Sequence, residues 1–252
     1  MQEINKFQRL DLIVKEIKLS GKVDMKSLSK LFEVSIDTIR RDIKELDEQG
    51  VIQATRGGAA SKSPVPVNFR DRLTFDTLEK KKVALKAVSL IEDGHVIMMS
   101  GGTSIVALAS VIPINANITV VTNSFPVVEQ LAGHENVEIL FAGGRFSRSD
   151  YGTIGLESAN FFSRIRADIF FFAPFSIHPE LGITSNRFEH ASMERSMIGS
   201  SKKVIALVTS SKIDTAENFH VCELTAVHTL ITELDFDDPK LQAYKNTAID
   251  IL

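Results

Sequence analysis

Apolar residues recur at helical spacing through the first fifty positions, and glycine, aspartate and serine interrupt them where helices end and begin. Phe7, Leu10, Ile13, Val14 and Ile17 form one stripe, Gly21 breaks it, and Val23-Asp24 leads into a second stripe of Met25, Leu28, Leu31 and Phe32. A short turn, Glu33-Val34-Ser35, opens a third helix. Ser35 suits its N-cap, because a hydroxyl there accepts from an otherwise unpaired backbone N–H, and Gly50 suits the left-handed residue that ends it. Ile39, Ile43 and Leu46 fall at i, i+4 and i+7 and predict its buried stripe. Asp37, Arg41 and Lys44 point the opposite way, with Thr38 and Arg40 on the flanks. Residues 51–59 (VIQATRGGA) read as a short hairpin with paired glycines near its turn. Three helices, the last two joined by a tight turn and followed by a hairpin, predict a winged helix-turn-helix with the third helix as reader.

Beyond residue 60 the periodicity changes. The stretch 61–68 (SKSPVPVN) has two prolines around a valine, which favours an extended, semi-rigid connector. After a charged approach over 70–82, helices expected at 83–91, 105–111, 125–131, 158–162 and 191–199 alternate with apolar strands expected at 96–99, 118–121, 137–141, 169–172, 204–208 and 229–232. Such alternation predicts a mostly parallel sheet covered on both faces. The expected division is a winged module over 1–60, a linker over 61–78 and an α/β domain over 79–252.

Composition narrows the class. A hydrophobic content of 44% supports a packed core and 24% charged residues is ordinary for a soluble protein. The net charge of -3 is not that of a chain that binds nucleic acid over its whole surface, so positive charge must be local to one face. The single cysteine, Cys222, excludes an internal disulfide framework, and its alternating apolar surroundings predict a buried structural thiol. No apolar run approaches a membrane span and the polar start lacks a signal peptide's apolar core, so a cytoplasmic protein is expected, without a membrane partner. The six histidines show no short metal-ligand spacing, and neither metal nor cofactor is implied.

Chemistry concentrates in two places. The outward face of the third helix offers Ser35, Thr38, Arg40, Arg41 and Lys44, with Arg56 on the following hairpin. Arginine pairs bidentately with guanine, while lysine and small hydroxyls hold phosphates, so double-stranded operator DNA is the expected partner. The bland alternative is a solvated helix in which Asp37 pairs with Arg41 at i, i+4. At the strand ends, three polar loops follow apolar strands: SGGTS at 100–104, TNS at 122–124 and AGGR at 142–145. Ligands of parallel sheets bind beyond the carboxyl ends of the strands, and glycines there let backbone approach an anion closely.

Gly21, Val23, Leu28, Phe32, VS at 34 and 35, TIRRD at 38–42, Leu46, Gly50 and GGA at 57–59 resemble the DNA-binding domain of DeoR-type bacterial repressors. The likeness continues through DG at 93 and 94, GGTS, VVTNS, AGGR, Gly155, Asp168, LGITS at 181–185, Glu189, Ala191, Met197, SSK at 210–212, Phe219 and LIT at 230–232. It implies a sensor domain similar to ribose-phosphate isomerase-like folds, which binds a phosphorylated sugar or related effector and then loosens the grip on DNA. Carried over by residue, the implied effector contacts are Gly102, Thr103, Ser104, Thr122, Asn123, Ser124, Gly144, Arg145 and Lys212. The chain departs from the family pattern with Ala54 and Arg56 in the wing, where Arg and His are usual. It departs again at Ser100, Glu194 and Thr209, where Asp, Lys and Asp are usual. On a strand Arg56 would share a face with Ala54 and still reach DNA. Glu194 either reverses a charge in the ligand crevice or is a solvated position beside Arg195.

Two other classes fit less well. A sugar-phosphate isomerase needs a carboxylate to move a proton, yet the stretch 170–177 (FFFAPFSI), where isomerases of similar fold carry aspartates, is apolar except for Ser176. Asp168, Glu189 and Lys212 remain available to such an enzyme. A protein-docking wing would lack the salt dependence that phosphate contacts impose. One reading helix covers few base pairs, so a homo-oligomer, at least a dimer, is expected.

Overall fold

A computed structural model describes residues 4–252. Helices α1 (Lys6–Ser20), α2 (Met25–Phe32) and α3 (Ile36–Glu48) surround a core of Leu10, Ile13, Ile17, Leu28, Phe32, Ile39, Ile43 and Leu46. Each start is capped by a side chain: Asn5 in a reciprocal box with Gln8, Asp24 accepting from Lys26 and Ser27, and Ser35 accepting from the Thr38 N–H at 3.1 Å. Glu33, left-handed at φ 53°, makes the turn between α2 and α3. Phe7 and Leu31 depart from the predicted stripes and face solvent. Each lies roughly 90–100° around its helix from the buried seam.

The wing gains a strand that the sequence pattern did not show. β1 (Lys22–Asp24), β2 (Ile52–Ala54) and β3 (Gly58–Ser61) form an antiparallel sheet in the order β1-β3-β2. Gly58 is required there, since a Cβ at this position would lie 1.7 Å from the Val23 carbonyl oxygen. The α1 and α3 helices are tied by a buried bidentate pair, Arg9 Nε to Asp42 Oδ2 at 2.6 Å and Nη2 to Oδ1 at 3.1 Å.

The rest of the chain is an α/β unit. In order it comprises α4 (Phe69–Arg72), α5 (Thr77–Val88), β4 (Val96–Met99), α6 (Thr103–Ala109), β5 (Ile118–Thr122), α7 (Phe125–Leu131) and β6 (Val137–Phe141). The hairpin β7 (Arg145–Ser147) and β8 (Gly152–Ile154) precedes α8 (Leu156–Phe162), β9 (Ala167–Phe172), β10 (Ser176–His178) and β11 (Gly182–Ser185). Then come α9 (Phe188–Gly199), β12 (Ser201–Leu207), β13 (Phe219–Cys222), β14 (Thr229–Ile231), α10 (Gln242–Lys245) and β15 (Asp250–Ile251). Seven strands pair in parallel in the order β15-β14-β12-β9-β4-β5-β6, and β10-β11-β13 form a small antiparallel sheet.

Strand alternation divides the core between the two faces. Ile97, Met99, Ile169, Phe171, Ile205 and Leu207 pack with α5, α6 and α7 through Val83, Ala84, Ala87, Ile105, Leu108, Val127 and Leu131. Met98, Phe170, Phe172, Val204 and Ala206 pack on the other face with Phe162, Ala191, Met193, Met197 and Tyr244. Cys222, in β13, is buried in this second core, and burial pushes its thiol up to about 12. Among the described residues no helix is long and apolar enough to cross a membrane.

The segment 61–68 forms no helix, and its first half is docked against the α/β unit. Ser61 pairs with Thr215, Ser63 donates through its N–H to Glu217 Oε1 at 3.1 Å and through its hydroxyl to the Phe175 carbonyl at 3.0 Å, and Val65 is buried.

Removing one partner of a buried pair strands the other charge. Arg9→Ala or Asp42→Ala should therefore lower stability by about 3–5 kcal/mol, measured by urea unfolding of the full chain, whereas the double change Arg9→Met with Asp42→Leu should recover most of the loss.

Candidate functional site

Helix α3 presents an uninterrupted polar face. Ser35, Arg40, Arg41 and Lys44 are exposed and Thr38 is half-buried, its hydroxyl 2.9 Å from that of Ser35. Asp37 pairs with Arg40 at i, i+3, in place of the Arg41 partnership the sequence suggested, and Lys44 lies 3.6 Å from Glu48. Arg41 has no such partner among the described residues. Arg56 does not share a strand face with Ala54. Strand β2 ends at Ala54, and Arg56 stands exposed in the turn at the hairpin tip, closed by the Gly58 N–H donating to Thr55 Oγ1 at 3.1 Å. Helix face and tip both project cations into solvent.

The second site lies in the sheet. The chain leaves β4 through α6 toward one face and β9 toward α9 on the other, so the paired ends of β4 and β9 open into a crevice. Ser100 to Ser104 after β4, Asn123 after β5, Ala173 to Phe175 after β9, and Thr209 and Lys212 after β12 line it. Gly102, at φ 124°, allows the loop to turn into α6. Arg72, Phe75, Lys80, Asp150, His190 and Glu194 line the crevice as well.

Most charges around the crevice are held by protein partners. Lys80 Nζ donates to the carbonyls of Arg72, at 2.7 Å, and Phe75, and burial pulls its ammonium down to about 8. Arg72 donates to the Val67 carbonyl at 2.8 Å and lies 3.5 Å from Asp150. Burial pushes the Asp150 carboxyl up, but the His190 imidazole 3.1 Å away and the hydroxyls of Ser147 and Ser149 outweigh it and hold the group well below the usual carboxylate range. Lys212 and Glu194 differ. Both are at least nine-tenths buried, and among the described residues neither the Lys212 ammonium nor the Glu194 carboxylate has a hydrogen bond or an ion pair within 4 Å. Burial brings Lys212 down to about 7 and Glu194 up to about 7. Ser104 Oγ and Asn123 Oδ1 are also buried without partners.

Of the residues singled out from sequence, Gly102, Thr103, Ser104, Asn123 and Lys212 come together in this crevice. Thr122, Ser124, Gly144 and Arg145 do not. The Thr122 hydroxyl accepts from the Ser124 N–H at 3.1 Å, and both residues are fully buried under the β7–β8 hairpin, where Ser124 bridges to Gly152. Gly144, at φ 145°, packs where a Cβ would lie 2.5 Å from Ser158 Oγ. Arg145 forms no anion clamp, because both oxygens of Glu189, at 2.6 and 2.7 Å, already hold its guanidinium. β6 is an edge strand, and of the hairpin that follows it Asp150 and Gly152 line the crevice while Gly144 and Arg145 do not. Glu194 is no solvated helix position, and all three departures, Ser100, Glu194 and Thr209, line the crevice. Asp168 lies at the opposite end of β9, accepting from the Val96 N–H at 2.9 Å and from Lys202 at 2.7 Å. Sequence reasoning missed Arg72 and Lys80, whose only signal was a charged run at 70–82 that resembles a solvated helix, and Asp150 and His190, which carried none.

Residues 76–234 match the model of the DeoR C terminal sensor domain, and residues 9–65 match that of the DeoR-like helix-turn-helix domain. The chain belongs to the DeoR family. Among its relatives, the glycerol-3-phosphate regulon repressor of Escherichia coli K12 is 30% identical, covering 90% of each chain. The lactose phosphotransferase system repressor of Staphylococcus epidermidis is 30% identical over 91% of this chain and 93% of its own. Among solved structures, ribose 5-phosphate isomerase A from Methanocaldococcus jannaschii aligns with 54% of each chain, at 18% identity and a TM-score of 0.40. This DeoR-family chain is thus a DNA-binding transcriptional regulator and not an enzyme.

Raising the pH through 7 removes the positive charge of Lys212 and completes the negative charge of Glu194, both of which weaken an anion's hold. Sulfate, which keeps its own charge over this range, should bind more tightly at pH 6 than at pH 8 in titration calorimetry, and Lys212→Met should flatten the difference.

Proposed function

We propose that this regulator is a repressor of a carbohydrate-metabolism operon, released when a phosphorylated sugar or related metabolite fills the crevice. It binds operator DNA as a homo-oligomer, at least a dimer, in the cytoplasm. In this reading residues 1–60 form the DNA-binding domain, 61–78 the linker and 79–252 the effector-sensing and oligomerisation domain. Arg41 reads bases in the major groove, Arg40 and Lys44 hold phosphates, Ser35 and Thr38 support the helix start on the backbone, and Arg56 reaches the neighbouring groove or phosphate from the wing tip.

One observation carries the release step: the turn that lines the crevice also holds the winged module. Lys212 ends the short helical turn over Ser210–Lys212 and lines the crevice. Two residues on, Asp214, left-handed at φ 58°, lies 3.3 Å from Lys22 of β1. Thr215 pairs with Ser61 at the end of β3, and the Ala216 N–H donates to the Ser61 carbonyl at 3.0 Å. The docked segment adds a second path, since Val65 and Arg72 also line the crevice. A ligand that draws Lys212 toward itself thereby acts on the seat of the wing, which supplies the differential contact that release requires. The repressor names of the relatives support the same reading.

The test is binding of the full chain to duplexes from around its own gene at several salt concentrations. Arg41→Ala should cost about 1–3 kcal/mol and relax sequence preference, while Arg56→Ala should reduce the salt slope by about 1 without changing preference. Binding that ignores both changes and shows no salt dependence would defeat the assignment of the reading face.

The coupling has its own check. Lys22→Gln or Asp214→Asn should leave DNA affinity in the absence of effector nearly intact and reduce the effector-induced loss of affinity by about 0.5–2 kcal/mol. An undiminished response in both variants would place the coupling elsewhere.

A further inference from the structure

Lys212 and Glu194 both line the crevice, and among the described residues neither the ammonium nor the carboxylate has a hydrogen-bond partner. Lys212 can receive the phosphate that the proposed function requires, because Lys80 is capped by two backbone carbonyls and Arg72 is engaged by carbonyls and Asp150. That leaves Glu194. The charged groups facing its carboxylate are His190, Lys212 and Arg195. His190 is turned to Asp150 at 3.1 Å, and Arg195 donates to the His220 carbonyl and to Ser192 Oγ at 3.1 Å. Once a phosphate draws the Lys212 ammonium to itself, Glu194 becomes a buried carboxylate with no cation of its own, a costly arrangement unless the ligand provides one. Asn123 Oδ1 is a second buried acceptor in the same crevice without a donor.

Resting on the reading of this crevice as the effector site, we infer that the effector is a phosphate ester that also carries a primary ammonium group, with its phosphate toward Lys212 and its ammonium toward Glu194 and Asn123. A hydroxyl in place of the ammonium would satisfy one lone pair and leave the charge of Glu194 uncompensated. Phosphorylated amino sugars and short amino-alcohol phosphates both belong to the class. Glu194 is then the specificity-determining residue, and Lys212 supplies the affinity common to phosphate esters.

Titration calorimetry on the full chain at pH 7.5 tests this with matched probes. Glucosamine 6-phosphate is compared with glucose 6-phosphate and N-acetylglucosamine 6-phosphate, and phosphoethanolamine with glycerol 1-phosphate; inorganic phosphate is the common reference. The expected result is at least tenfold tighter binding of the ammonium member in one series, with the N-acetyl compound losing that advantage. Glu194→Gln should abolish the preference while inorganic phosphate binds at least as tightly as before, since a repelling carboxylate is gone; its melting curve reports whether the variant is folded. Equal binding within both series, or a preference that survives Glu194→Gln, overturns the inference while leaving an anion-binding effector site. No heat with any probe, inorganic phosphate included, overturns the effector-site reading and this inference with it.

Discussion

The pairing of β4 with β9 governs the position of everything else in the larger unit. Both strands are buried on both faces, so each must be apolar along its length, and the helices that follow them must leave to opposite sides. That divergence opens a crevice at the carboxyl ends and nowhere else along the two strands. The polar loops after β4, β5 and β12 are therefore brought together by a constraint that acts on apolar residues. Ile97, Met99, Ile169 and Phe171 on one face, and Met98, Phe170 and Phe172 on the other, fix where Ser104, Asn123 and Lys212 meet.

The two sites use charge in opposite ways. On α3 the cations are exposed, and behind them a buried pair, Arg9 with Asp42, holds α1 against α3. In the crevice the charges are dry. Asp150, Arg72 and Lys80 are engaged by groups of the protein, whereas the Lys212 ammonium and the Glu194 carboxylate have no hydrogen-bond partner among the described residues and are shifted toward neutrality. A fold tolerates such groups where a ligand completes them, so the pattern of satisfied and unsatisfied charges marks the part of the wall that waits for a ligand.

Much of this was legible in the sequence where one local period decides the structure. The apolar repeat of Ile39, Ile43 and Leu46, the cap at Ser35 and the strand at 96–99 needed no tertiary information, and each stands where the periodicity predicts. What was not legible depends on partners distant in the chain. Arg145 looked like an anion clamp until Glu189, 44 residues away, was seen to hold it. Arg72 and Lys80 looked solvated because a charged run carries no sign of the crevice it will border. Thr122 and Ser124 have the right chemistry beside Asn123, but strand alternation turns them away from it, and a hairpin covers them. The register of a loop is set by what packs over it, which a single sequence does not display.

The joint between the two modules also follows from local chemistry, though its role does not. The segment 61–68 starts at the end of β3, and a strand end with a carbonyl left over is ready to pair. Here it pairs with 213–217, the continuation of the turn that carries Lys212. A flexible tether would let the wing sample DNA without regard to the crevice, since a ligand shifts an equilibrium only through contacts that differ between its states. Docking removes that independence. With Ser61 bound to Thr215 and Ala216, and Gly21 to Ser61, the wing's central strand and the end of α1 move with the residues that face the ligand. Connection through backbone pairs and one buried aspartate, in place of a free linker, ties the seat of the wing to the wall of the crevice.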